Sequence, residues 1–266
     1  MNSEFDVQKT SLAFLNPSQG IGPDISLTGK NGPSIFPTTS LSLRIKYQQE
    51  SGYYAQAAIF DGVPGDPNNP SGNHIILRKE DGALLAAETG FINMDNGISN
   101  NYGKYAIGCW YYTSEFKLHN TNGITEMHEG NFGFYVYAEK QVYHEVVDQT
   151  RGLSVFVRAG HAENNINKIS EYLGMGFLYK GLFNSRDRDA LGIALAIVYT
   201  SNWYQQELNV NEFGIRRKEI DYELTYKMYL LEWLNFQPDV QYLYEPLYNV
   251  NNKYVFVMGI RLSLQL

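Results

Sequence analysis

The sequence predicts an all-β protein, an antiparallel up-and-down β-barrel that crosses a membrane. Three observations carry that prediction. Apolar residues recur with a period of two through most of the chain. The alternating runs reach about 9–11 residues, longer than the usual strands of soluble sheets. Tyrosine and tryptophan gather near the ends of these runs, at Tyr111, Tyr112, Tyr199, Trp203, Tyr204, Trp233, Tyr242 and Tyr244, where an interfacial aromatic girdle would lie.

Composition agrees. Of 266 residues, 44% are hydrophobic and 14% aromatic, and only 18% are charged. Mean hydropathy is nonetheless −0.33, so apolar side chains are interleaved with polar ones. No run approaches the roughly 18 apolar residues that a membrane-spanning helix needs, and the aromatic content excludes disorder. A formal charge of −7 argues against a nucleic-acid partner. One cysteine, Cys109, excludes an internal disulfide and any Cys-rich metal site. Met1-Asn2-Ser3-Glu4-Phe5-Asp6 has neither a basic n-region nor an apolar h-region, so no secretion signal is visible.

Taken in order, the first strand sets Leu41, Leu43, Ile45 and Tyr47 against Ser42, Arg44 and Lys46. Runs at 53–60, 83–91, 104–112 and 132–143 follow. Leu153, Val155, Val157 and Ala159 then oppose Ser154, Phe156, Arg158 and Gly160. After runs at 171–182 and 190–200, Ile220, Tyr222, Leu224, Tyr226 and Met228 oppose Asp221, Glu223, Thr225 and Lys227. A run at 236–244 precedes the last strand, with Phe256, Met258, Ile260, Leu262, Leu264 and Leu266 on one side and Arg261 on the other. This makes about eleven strands. Asn/Gly/Pro/Asp stretches such as Asp61–Pro70, Asn96–Asn101 and His119–Gly123 separate them. A long connection near 112–131 contrasts with a tight one from Asn184 to Asp189, and residues 1–266 read as one domain.

Two architectures fit such alternation. A soluble sandwich turns the apolar face to a core and the polar face to water. A membrane barrel turns the apolar face to lipid and the polar face to a wet lumen. In the barrel, the inward set is Arg44, Lys46, Glu88, Arg158, Asp221, Glu223, Lys227, Asp239, Gln241 and Arg261, with Trp110 and Phe156 on the same face. Mixed charge supplies donors and acceptors to a neutral polyol without strong ion selection. The two rings could stack on the C–H face of a sugar, although such residues often do no more than pair across strands and fill space. Residues Phe5 to Pro37 lack strand character; they form either an infolded loop that narrows a pore or an ordinary surface loop.

Specific runs carry a resemblance. Arg151-Gly152-Leu153-Ser154-Val155-Phe156-Val157-Arg158-Ala159-Gly160 resembles the Gly-Leu-x-Val-Phe-x-Arg strand of the carbohydrate-selective porins of the OprB type. The run from Tyr179 to Gly192, centred on Arg186-Asp187-Arg188-Asp189, looks like that family's strand–turn–strand. Tyr222–Tyr226, Gln237–Tyr242 and Gly259–Leu262 follow in the family's order. Looser matches in the first half include Ser3-Glu4-Phe5, Phe14-Leu15-Asn16, Ile59–Asp66, Glu88-Thr89-Gly90 and Gly108–Tyr111.

The resemblance implies a passive outer-membrane channel of a Gram-negative bacterium, passing monosaccharides of the glucose type. It also implies contact with outer-membrane lipid and with the barrel-assembly machinery, and leaves monomer or trimer open. Family barrels have sixteen strands behind a secretion signal, so this chain is expected to begin part-way round, N-terminally incomplete. Such barrels usually end in an aromatic residue, whereas this chain ends in Leu266.

Other readings are weaker. An autotransporter translocator should begin with a pore-threading helix, and Met1–Ser40 does not read as one. A soluble sugar-binding sandwich remains as the second alternative. Enzyme signatures such as Gly-x-Ser-x-Gly, a phosphate-binding loop or His-Glu-x-x-His do not occur. His119, Glu126, His128 and Glu129 share a polar loop but lack tight metal spacing, and the Asp61…Asp66 loop is a weak calcium candidate. Neither catalytic residues nor a cofactor or metal is expected. Cys109 falls on an outward apolar face as an inert thiol.

Overall fold

Eleven strands hydrogen-bond in chain order, each antiparallel to the next, into one continuous sheet in a computed structural model of the chain. The structure describes residues 1, 4–65, 77–93, 102–146, 148–210 and 214–265. The strands are β1 (Ser42–Gln48), β2 (Tyr53–Asp61), β3 (Ala83–Asn93), β4 (Gly103–Lys117), β5 (Met127–His144) and β6 (Gly152–Ala162). They continue as β7 (Ile169–Lys180), β8 (Ala190–Thr200), β9 (Lys218–Leu231), β10 (Leu234–Tyr244) and β11 (Tyr254–Leu264). Among the described residues no strand pairs with the free edge of β1 or of β11, so the sheet is not closed.

Alternation along these strands separates two faces, and their polarity is inverted relative to a soluble sheet. On one face lie Glu88, Glu139, Arg158, Asp221, Glu223 and Asp239, all buried. On the other lie Ile107, Phe132, Phe134, Val136, Val157, Phe177, Ile193 and Leu224, all exposed. A sandwich in water would reverse both assignments. A contiguous exposed apolar face of this extent needs an apolar solvent. The charged face is called inner below, because residues 1–37 pack on it.

The strand boundaries follow the expected runs, with two corrections. The connection near 112–131 is shorter than its composition suggests. β4 runs on to Lys117 and β5 begins at Met127, leaving 118–126 as the loop. An irregularity between Tyr112 and Glu115 lets that pairing resume beyond the break. Tyr112 is not a girdle residue: it shares the inner face with Trp110 and is 1% exposed. Trp203 and Tyr204 sit on a helix, α3 (Asn202–Val210), and Trp233 lies in the two-residue turn between β9 and β10. The Asn96–Asn101 turn and Leu266 lie outside the described residues. Cys109 is exposed on the outer face.

The longest connections, 62–82 and 201–217, follow even-numbered strands, and the shortest, 49–52 and 232–233, follow odd-numbered ones. Connections 118–126 and 181–189, equal at nine residues, open at opposite ends, but the two longest connections open at one end of the sheet. Residues 1–37 enter from that same end, because β1 runs in the same direction as β11 and starts where the 245–253 loop ends.

Candidate functional site

The described residues of 1–37 form a 3-10 turn (Ser11–Ala13), two single-turn α-helices and loops, so most of their backbone N–H and C=O groups have no ladder to join. Asn16 caps α1 (Pro17–Gly20) by accepting from the Ser18 N–H at 2.9 Å, and Pro17 starts that turn. Pro23 starts α2 (Pro23–Ser26), which carries the fully buried Asp24 and Ile25. Buried polar backbone must find partners; local turns within the segment supply many, and the sheet's side chains supply others.

Wall carboxylates take the N–H groups. Glu88 accepts from Asp6 N at 2.9 Å, and Glu139 from Lys9 N at 3.0 Å and Thr10 N at 2.8 Å. Glu223 accepts from Leu15 N and Asn16 N, while Asp221 accepts from the Asn16 side-chain amide. Wall donors take the carbonyls: Gln56 gives to Glu4 O at 2.6 Å, Lys104 to Val7 O at 2.8 Å, Gln237 to Ala13 O at 2.8 Å and Tyr172 to Ser18 O at 2.6 Å. With Tyr112 against Gly29 and Phe14 over Gly192, the segment touches every strand from β2 to β10.

Arg158 is the centre of this docking. It is 1% exposed, gives Nε to both Asp6 oxygens at 2.9 and 2.7 Å, and gives Nη1 and Nη2 to Asp24 at 2.7 and 3.1 Å. Its guanidinium lies 5.5 Å from the Tyr135 ring centre and 5.1 Å from that of Tyr172. Burial pushes the Asp6 carboxyl up to about 6, against the pull of Arg158, and the nearby Asp24 and Glu88 charges push the same way.

Glycines on the inner face make room for these contacts. A Cβ on Gly160 would run into the Asp24 carboxylate, and one on Gly108 into the Tyr135 ring. Gly133 lies beneath Trp110 and Gly174 beneath Tyr172 in the same way. Aromatic side chains thus lie flat on the wall. Phe5, fully buried, meets Phe60 edge-on at 6.1 Å, and Phe14 meets Phe156 at 5.8 Å.

All twelve pore-lining candidates share the inner face, but they divide by exposure. Glu88, Trp110, Phe156, Arg158, Asp221, Glu223 and Asp239 are buried. Lys227 and Gln241 are half-buried, the latter donating to Asp239 at 2.8 Å. Arg44, Lys46 and Arg261, on the two edge strands, are exposed. The expectation that Trp110 presents its ring to a passing sugar is corrected: it is 2% exposed and packed edge-on against Tyr112 at 5.8 Å.

Several docking residues escaped the sequence reading, among them Gln56, Glu139, Tyr172, Gln237, Asp6 and Asp24. Glu139 shares its parity with Tyr135 and Tyr137, so alternation alone placed it inward. Asp6 and Asp24 carried no periodic signal. His119 pairs with Glu207 of α3, while His128 and Glu129 lie on β5. Among the described residues no group of three or more His, Cys, Asp or Glu is arranged to hold a metal. Asp66, the far end of the weak calcium candidate, lies outside the described residues. Arg186 pairs with Asp189 at 2.7 Å and Arg151 with Asp187 at 2.8 Å, so that turn is tied by local ion pairs.

Comparison with known proteins bears on this arrangement. The model of the carbohydrate-selective porin, OprB family, matches residues 1–266. Porin B of Pseudomonas aeruginosa is 24% identical, over 79% of this chain and 51% of that protein. The putative porin QuiX of Acinetobacter baylyi is 21% identical, over 88% of this chain and 58% of that one. The chain thus spans about half the length of these curated relatives. In fold it is similar to the high-pH structure of Pseudomonas putida OprB, with a TM-score of 0.75 at 24% identity, covering 86% of this chain and 59% of that one.

Proposed function

The chain belongs to the OprB family of carbohydrate-selective porins, and from that premise we propose that it builds the wall of an outer-membrane channel through which sugars diffuse passively, glucose-type monosaccharides among them. The observation that carries this reading is the inverted sheet, with apolar side chains exposed outside and charged side chains buried inside. Lipid is the solvent that fits the first face, and an aqueous path filled in part by residues 1–37 fits the second. A diffusion channel does no bond chemistry; its selectivity lies in the shape and charge of its narrowest part.

In this reading residues 5–37 are an infolded loop that narrows the path. Arg158, Glu88, Glu139 and Glu223 hold that loop, and Arg44, Lys46, Lys227, Gln241 and Arg261 line what remains open. The long connections face the cell exterior and the short ones the periplasm. Folding then depends on the barrel-assembly machinery.

Reconstitution of the purified chain into liposomes tests this. Proteoliposomes should swell in isosmotic glucose and fail to swell in a large dextran. Fractionation of the protein with soluble material, without detergent, supports a sugar-binding sandwich and overturns the channel.

A further inference from the structure

The helix α3 lies over the inner face, at the end where the two longest connections open. Its Tyr204 and Leu208 pack against Tyr172, Ala196 and Val198 of that face, with Ile169, Ile215 and Leu247 around them. Ser201 accepts from Tyr204 N at 3.0 Å and gives its hydroxyl to Asn164 O at 2.6 Å. Asn202 N gives to the Asn164 side chain at 2.9 Å. Glu207, the one charged residue of the helix, turns to His119 and to Lys117, the latter at 3.6 Å. The His119 ring in turn lies 4.8 Å from that of Tyr204. Connections 118–126, 163–168 and 245–253 thus hold α3 in the middle of the mouth, away from both sheet edges.

An exposed helix face ordinarily carries charged side chains. This one carries none: its exposed residues are Asn202, Trp203, Gln206 and Asn209, with Trp203 at 45%. Spacings of three and four residues join them into one patch. We propose that the patch binds neutral sugars, a pyranose ring lying on the Trp203 indole while the three amides hold hydroxyl groups. The inference rests on the channel reading for its ligand class and adds a capture site at the mouth. Each amide offers a donor and an acceptor, as a hydroxyl does, so binding strips no charged group of water. The indole supplies a flat apolar surface for the C–H face of the ring, and one N–H. Asn202 and Asn209 are about 10 Å apart along the helix, which suits a disaccharide. Of the other tryptophans, Trp110 is buried and Trp233 lies in a turn at the opposite end. Packing of α3 on the inner face sets Trp203 apart from a lipid-facing girdle.

The test reads Trp203 fluorescence in the whole chain carrying Trp233→Phe, held in detergent micelles. Titration with maltose should shift the emission saturably, with half-saturation in the millimolar range expected of a small ligand on an open surface. Adding Trp203→Phe should abolish the shift. Gln206→Ala keeps both the fluorophore and the helix, and should raise the half-saturating concentration about two- to tenfold. No saturable shift, a shift that survives Trp203→Phe, or an unchanged half-saturation in Gln206→Ala overturns the inference. In nanodiscs with brominated acyl chains the Trp203 emission should stay unquenched; quenching places the indole in lipid and overturns it as well. Swelling of proteoliposomes in glucose separates this site from the channel. Swelling without a maltose shift leaves the channel and removes the site, whereas a shift without swelling keeps the site and refutes the channel.

Discussion

Replacing Arg158 by methionine should free residues 1–37 from the wall. The guanidinium makes four contacts of 2.7–3.1 Å with Asp6 and Asp24 and stacks between two tyrosines. Methionine fills much of that volume without charge, so two buried carboxylates are left facing one another. Deleting one partner of a buried ion pair costs about 3–5 kcal/mol. At 1.4 kcal/mol per factor of ten, the docked population falls by about two to three and a half orders of magnitude. Protonation of Asp6 relieves part of this in acid, so the loss should be largest above pH 7. Two assays read the outcome: trypsin cleavage after the exposed Lys9 and Lys30 in detergent solution, and single-channel conductance in planar bilayers. Both should rise in Arg158→Met. The triple variant Asp6→Asn/Asp24→Asn/Arg158→Met, which removes the carboxylate charges as well, should recover most of the docking. Cleavage and conductance at wild-type values in Arg158→Met would refute the reasoning, as would a triple variant no better than the single one.

Three further outcomes follow from the same packing. Glu139→Gln keeps the shape of the side chain but weakens its bonds to Lys9 N and Thr10 N. Losing charge assistance there costs about 1.5–3 kcal/mol, so hydrogen exchange at those two amides should accelerate about ten- to a hundredfold. Gly160→Ala drives a methyl group into the Asp24 carboxylate and should weaken docking by about 1–3 kcal/mol, read as faster trypsin cleavage after Lys30. The Asp6 carboxyl, held up to about 6, binds its proton more tightly in the docked state than free. Its contribution is therefore complete below about pH 4 and is lost as pH rises through about 6. Exchange at amides 5–16, corrected for intrinsic rate, should show weaker protection at pH 8 than at pH 5. Asp6→Asn should abolish that difference.

Much of the wall was legible in the sequence because strand periodicity is a local property. Ile220, Tyr222 and Leu224 against Asp221, Glu223 and Thr225 assign both faces of β9 without reference to any other element. Tyr112 was misplaced by its position near a strand end, although its parity with Trp110 already pointed it inward. Which solvent meets which face was not local: alternation fits lipid outside a barrel and water outside a sandwich equally well. The burial of the charged face removed that ambiguity.

By itself, then, the sequence determined eleven antiparallel strands, their two faces and a family likeness. Only the tertiary structure decided what the inner face does. Leu15 meets Glu223 across 208 positions and Asp6 meets Arg158 across 152. No periodicity encodes contacts at such separations. An aperiodic segment with unpaired amides had to find acceptors, and the carboxylates of the wall were the strongest within reach. Residues that looked like pore lining thus became the cradle of the segment that lies over them.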